Sequence, residues 1–245
     1  TIKKKVVFDT TERKKEETKM KKRTELVFII DRSGSMCGLE TDTIGGFNGM
    51  LEKQKKEPGE AFVTTVLFDD QYERIHQRVP IHKVQPLTAR EYYVRGCTAL
   101  LDAVGRTIQY MISVQRNLEE EERADQVIFV ITTDGYENAS REYTYSRIQK
   151  MITHEKEKYG WEFLFLGANM DAEMEAGKFG IGRDRAVTYC NDSQGVQANY
   201  EAMTVAVSQM RCSSAPVGSQ WKSAVEKDRE KRRKKERKIF WKFRE

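Results

Sequence analysis

Long apolar runs are missing from this chain of 245 residues. Nothing reaches the roughly 18 consecutive apolar residues of a membrane-spanning helix, so no span is expected. Cysteine is scarce. Cys37, Cys97, Cys190 and Cys212 are the four, with no C-x-x-C pair among them. A disulfide framework is not expected at this length, and a reducing, cytoplasmic setting is the simpler reading. The opening segment "TIKKKVVFDTTERKKEETKMKKR" is basic but has no apolar centre, so it does not read as a secretory signal. The three histidines, His76, His82 and His154, are scattered and stand near no acid–serine cluster. They read as structural or surface residues. Several enzyme signatures are missing too. There is no G-x-x-x-x-G-K-[ST] phosphate loop and no G-x-S-x-G nucleophile elbow. Gly177, Gly180 and Gly182 make no dinucleotide fingerprint. No internal repeat is visible.

Charge is abundant and unevenly placed. Charged residues make up 33% of the chain, above the ~25% of an ordinary globular domain, so solvated helical or unstructured segments are expected. Residues 1–25 carry 10 Lys/Arg against 5 Asp/Glu, and residues 221–245 carry 12 against 5. The body between them holds 21 against 28. The chain therefore divides into a basic N-terminal segment (1–23), an acidic domain (24–212), and a linker with a basic, charged helix or tail (213–245). "SSAPVGSQ" (213–220) has the composition of a linker. The basic tail, with Phe240, Trp241 and Phe243 interleaved, could bind RNA, lie on an anionic surface, clamp the acidic body, or stand as a solvated helix.

Within the body, apolar strands alternate with helices. "ELVFII" (25–30), "AFVTTVLF" (61–68), "QVIFVITT" (126–133) and "EFLFLGA" (162–168) read as buried strands, and "AVTYC" (186–190) as a weak one. "RIHQRVPIH" reads as an edge strand, because Pro80 cannot donate to a central ladder. Helices are expected over 43–57, 98–116, 141–160 and 195–211, with a short one between the last two strands. The predicted fold is α/β: a doubly wound, mostly parallel sheet with one short antiparallel edge strand and helices on both faces. In such folds ligands sit beyond the carboxyl ends of the strands, at the switch in strand order.

Chemistry-bearing residues fall on that edge. "LVFIIDRSGSM" ends a buried strand with Asp31, then places Ser33 and Ser35 at alternate positions. "VITTDG" ends another strand with Asp134, and "GCTALLDA" puts Thr98 just before a helix. Five carboxylate and hydroxyl oxygens, without Cys or His, suit Mg²⁺ or Mn²⁺ rather than zinc. Each piece also has a plainer reading. Ser33 and Ser35 could cap a turn, Thr98 could cap its helix, and Asp134-Gly135 could be a turn pair. Asp69, Asp70, Asn169 and Asp171 also end strands on this edge and read as rim or turn residues.

Taken together, "DRSGSM", "GCTALLDA" and "TTDG" resemble the metal-ion-dependent adhesion site of von Willebrand factor type A domains, over roughly 24–212. The resemblance implies a doubly wound fold with Asp31, Ser33, Ser35, Thr98 and Asp134 around Mg²⁺ or Mn²⁺, some directly and some through water. It implies an open coordination place filled by a Glu or Asp carboxylate of a protein partner. The chain resembles the intracellular bacterial or phage members. It departs from many at Cys97, where a second glycine is usual, and Cys37 follows the first motif, so two thiols are expected near the ion. The function expected is metal-gated protein docking without catalysis. RNA or surface association through the basic ends is the alternative, and a metal-assisted hydrolase is a further one that lacks an evident general base.

Overall fold

The computed structural model describes residues 22–213 and 217–242. The basic segment expected at the N-terminus falls almost wholly outside them, as do the side chains of Phe240, Trp241 and Phe243.

Strand β1 (Arg23–Asp31) is followed by helix α1 (Glu40–Gln54), strands β2 (Glu60–Phe68) and β3 (Tyr72–Pro80), and helix α2 (Leu100–Asn117). Then come β4 (Gln126–Thr133), α3 (Tyr145–Tyr159), β5 (Glu162–Ala168), α4 (Ala172–Lys178), β6 (Ala186–Tyr189), α5 (Ser193–Cys212) and α6 (Ser223–Lys242). One six-stranded sheet results, in the order β3-β2-β1-β4-β5-β6. All neighbours are parallel except β2 and β3, so the Pro80-bearing strand is the antiparallel edge. The first helix starts three residues before its expected position, and the third starts four after. In the latter case Thr144 caps the helix through the Arg147 N–H at 3.3 Å, and the carboxylate of Asp102 takes the backbone N–H groups of Arg141, Glu142 and Tyr143 just before it at 2.8–2.9 Å.

The strands are buried on both faces, which is why they read as continuous apolar runs. Leu26, Phe28 and Ile30 of β1 pack with Phe47, Met50, Met203 and Val207 on one face. Val27 and Ile29 pack with Leu100, Val104, Ile108, Ile148 and Ile152 on the other. This is the period-two alternation of a strand sandwiched between two helical layers. The C-terminal segment joins the first layer. Val217, Trp221 and Val225, four residues apart, are all buried there, and the Trp221 indole N–H donates to the Asp184 carbonyl at 3.0 Å. Lys222 is buried beside them and reaches Glu173 and the carbonyls of Arg183 and Ala186.

Strand order reverses about β1 and β4, each of which carries chain to opposite edges of the sheet. Ile30 lies opposite Thr132, so Asp31 and Thr133 end adjacent strands side by side. The switch in strand order thus falls between Asp31 and Asp134.

Candidate metal centre

Burial and hydrogen bonding hold Asp31 in place. It is 1% exposed. Its Oδ1 accepts from the Ser33 backbone N–H at 2.7 Å, and its Oδ2 accepts from the Thr133 hydroxyl at 2.6 Å. The Tyr92 hydroxyl donates to the Asp31 carbonyl at 2.8 Å and pins the end of β1. The chain then turns through a short 3₁₀ segment, Gly34–Met36. Ser33 sits at its start, yet its side chain caps nothing. The Ser33 and Ser35 hydroxyls instead lie 3.2 Å apart. Ser35 Oγ donates to Asp134 Oδ1 at 2.6 Å.

Thr98 arrives from a third loop. Helix α2 begins at Leu100 with Ala99 at its cap position, so the Thr98 hydroxyl does not cap it. Its backbone is tied to Asn138: the Thr98 N–H donates to Asn138 Oδ1 at 2.9 Å, and the Asn138 N–H donates to the Thr98 carbonyl at 3.0 Å. Gly135 marks how closely this loop meets the end of β4. A Cβ there would lie 2.9 Å from Thr98 Oγ1 and 3.6 Å from Ser35 Oγ. The five residues singled out in the sequence therefore meet at one edge of the sheet.

Two further residues of the cluster were not singled out in the sequence, although Thr133 lies within the "TTDG" motif. Thr133 donates to Asp31, and Asn191, just beyond β6, donates from Nδ2 to Asp134 Oδ2 at 3.1 Å and to the Ser35 carbonyl at 3.3 Å. Asp69, read as a rim or turn residue, does shape a turn by accepting the Gln71 N–H at 2.6 Å, but it is not an exposed rim acid. It is fully buried and accepts from Arg32 Nε at 3.0 Å and Arg95 Nε at 2.6 Å. Arg32, the second residue of "DRSGSM", is itself fully buried, so this ion pair braces the first motif against the loop that carries Thr98. Asp171 caps helix α4 through the Met174 N–H, a local role. His76 pairs with Thr65 inside the sheet edge, away from the cluster.

Both acids of the cluster are shifted by their surroundings. Burial pushes the Asp31 carboxyl up to about 6, against the pull of its Thr133 and Ser33 hydrogen bonds, and the nearby Asp134 charge adds to the rise. Burial raises Asp134 as well. A divalent ion between them would favour both ionised forms. The donor set also fits by geometry. Octahedral Mg²⁺ with oxygen ligands at 2.0–2.1 Å has ligand–ligand edges of about 2.9 Å, and the Ser33–Ser35 and Ser35–Asp134 oxygens stand 3.2 and 2.6 Å apart. Asn191 Oδ1 is buried with no hydrogen-bond partner, an acceptor that a metal-bound water could satisfy. Among the described residues no three His, Cys, Asp or Glu side chains are disposed around a common metal position, so an ion here depends on the hydroxyls.

Comparison with solved structures shows that the fold is similar to that of von Willebrand factor type A domains. The von Willebrand factor domain of the type V pili tip protein Mfa5 from Porphyromonas gingivalis superimposes with a TM-score of 0.59 at 10% identity, over 81% of this chain and 99% of that one. Proximal thread matrix protein 1 from the mussel byssus gives 0.52 at 13% identity, over 78% of this chain and 47% of that one. A form of the mussel protein described as having a zinc-occupied metal-ion-dependent adhesion site gives 0.52 at 14% identity, over 77% of this chain and 46% of that one. This chain therefore spans about half the length of the mussel protein. No protein-family model and no curated protein matches the sequence.

Proposed function

We propose that this chain is a metal-dependent docking module, which holds Mg²⁺ or Mn²⁺ with Asp31, Ser33, Ser35, Thr98 and Asp134 and receives a Glu or Asp carboxylate of a protein partner. The observation that carries this reading is the convergence of two buried carboxylates and three hydroxyls from separate loops at the switch in strand order. Two carboxylates leave a divalent ion without excess negative charge, so it remains attractive to a third from outside. The mussel protein's zinc-occupied site supports a divalent ion in a domain of this fold.

The surroundings suit a protein surface. Tyr93 and Tyr136 are exposed large side chains on the loops that carry Thr98 and Asp134. Such aromatics are the residue type that concentrates binding energy at interfaces. Beside Tyr136 opens a crevice of about 670 Å³, lined by Asn169, Asp171, Tyr189, Cys190 and, from α6, Arg229. The proposed role is binding without turnover in the cytoplasm. The Ser33 and Ser35 hydroxyls engage one another, and Ser35 and Thr133 engage the acids.

Calorimetric titration of Mg²⁺ and Mn²⁺ into chelator-stripped protein, alongside Asp31→Ala, tests the site. Binding by wild type alone supports it. Equal binding by the variant, or none by wild type, overturns it. A partner pull-down with and without chelator then tests docking. A second reading, association with RNA or an anionic surface, is favoured by the exposed Lys227, Arg229, Lys231, Arg233 and Lys235 on α6. Salt-dependent retention of RNA would support it.

A further inference from the structure

We infer that Asn191 is a positioning residue of the metal centre, and that the C-terminal helix α6 holds it in place through Arg232. The inference deepens the docking reading and rests on it. Asn191 joins the two halves of the site: one amide nitrogen donates to Asp134 at the end of β4 and to the Ser35 carbonyl in the first motif. It thereby fixes which way Asp134 presents its carboxylate to Ser35. Its Oδ1 is buried without a partner, an acceptor available to a water on the ion.

The next residue connects this amide to the far end of the chain. Asp192 caps helix α5 through the Gly195 N–H at 2.8 Å. Both its carboxylate oxygens also receive the Arg232 guanidinium, with Arg232 Nη2 at 3.1 Å from Oδ1. Arg232 is steadied in turn by Asp228 at 2.7 Å and by Gln194 at 3.2 Å. Such a two-pronged pair fixes orientation as well as position. The loop has little room to move on its other side, because a Cβ on Gly195 would lie 2.0 Å from the Cys190 carbonyl oxygen. Helix α6 is itself seated by Trp221 and Val225 in the core. A continuous set of contacts thus runs from the core through α6, Arg232, Asp192 and Asn191 to Asp134 and Ser35. The part of the chain read as a charged tail has a place in the metal centre.

The test is Mn²⁺ binding, read by calorimetry and by water-proton relaxation, with thermal unfolding in chelator as the control for fold. The variants are Asn191→Ala, Arg232→Ala, Arg232→Lys and, as an exposed control on the same helix, Lys234→Ala. Residues that orient metal ligands typically change affinity by about 10–100-fold. Asn191→Ala is expected to weaken Mn²⁺ by at least about tenfold and Arg232→Ala by a smaller factor, with Arg232→Lys between Arg232→Ala and wild type, and Lys234→Ala within about twofold of wild type. Unfolding in chelator should change little for Asn191→Ala. Were Arg232→Ala not to fold, the Arg232→Lys and Asn191→Ala pair carries the same comparison. Wild-type binding matched by both Asn191→Ala and the Arg232 variant overturns this inference and leaves the docking reading standing. A loss in Asn191→Ala alone overturns the part assigned to α6. Absence of binding by wild type overturns the docking reading itself, and this inference with it.

Discussion

Replacing Asp31 by Asn should make the protein more stable in chelator while abolishing its metal site. Asp31 is almost fully buried, and its carboxyl is pushed from 3.8 to about 6, with burial the main cause. A rise of about two units corresponds to roughly 3 kcal/mol disfavouring the ionised form in the fold. The sign follows from the direction. Because the folded value lies above the unfolded one, the cost is absent below pH 3.8, grows between 3.8 and 6, and is complete above 6. Asn removes the charge but keeps the shape. It can still accept from the Ser33 N–H, and its amide can donate to Thr133 Oγ1, whose own hydrogen can turn to the Gly135 carbonyl at 3.0 Å. The expected gain for Asp31→Asn at pH 8 in chelator is therefore about 1–3 kcal/mol, an increase of several degrees in Tm for a chain of this size. The gap should close as pH falls towards 4. Saturating Mg²⁺ should raise the Tm of wild type and leave the variant unmoved. Differential scanning calorimetry at pH 8 and pH 4.5, with chelator and with Mg²⁺, reads all of this. A variant less stable than wild type at pH 8 in chelator, or a gap independent of pH, would refute the reasoning.

Gly135→Ala should weaken Mn²⁺ binding by tenfold or more in calorimetric titration while costing little stability, because its Cβ would displace the Thr98 hydroxyl rather than backbone. Asp69→Ala leaves the buried Arg32 with only the half-exposed Glu73 as carboxylate partner and Arg95 without its own, and should lower unfolding free energy by up to roughly 3–5 kcal/mol in urea titration; a loss under 1 kcal/mol would show that Glu73 alone compensates the guanidinium. Trp221→Ala removes a buried side chain of the first helical layer and should cost roughly 3–5 kcal/mol by the same measurement.

The local patterns in the chain were sufficient for the architecture. Continuous apolar runs marked β1, β2, β4 and β5 because each is covered on both faces, and Pro80 marked the antiparallel edge because it has no N–H for a central ladder. The motif residues Asp31, Ser33, Ser35, Thr98 and Asp134 were legible because each stands at the end of a strand or the start of a helix, a position set within a few residues of sequence. Helix starts were less legible. The third helix begins at Tyr145 because Thr144 caps it through the Arg147 N–H, while Asp102, some 40 positions earlier, ties down the N–H groups of the preceding residues.

What tertiary structure decided are the contacts between distant parts of the chain. An asparagine after a weak strand has no local signature, and only folding brings Asn191 to Asp134, 57 residues away, and to Ser35, 156 away. Asp69 read as a rim or turn acid; it does close a turn with Gln71, and two arginines from other loops also make it a buried anchor. The C-terminal segment read as charged because its apolar residues are few. Val217, Trp221 in the 3₁₀ turn before α6 and Val225 in its first turn are all buried in the first layer, and with Lys222 they seat a helix whose composition is otherwise that of a solvated one. Periodicity determines which residues share a face; only packing determines what that face meets.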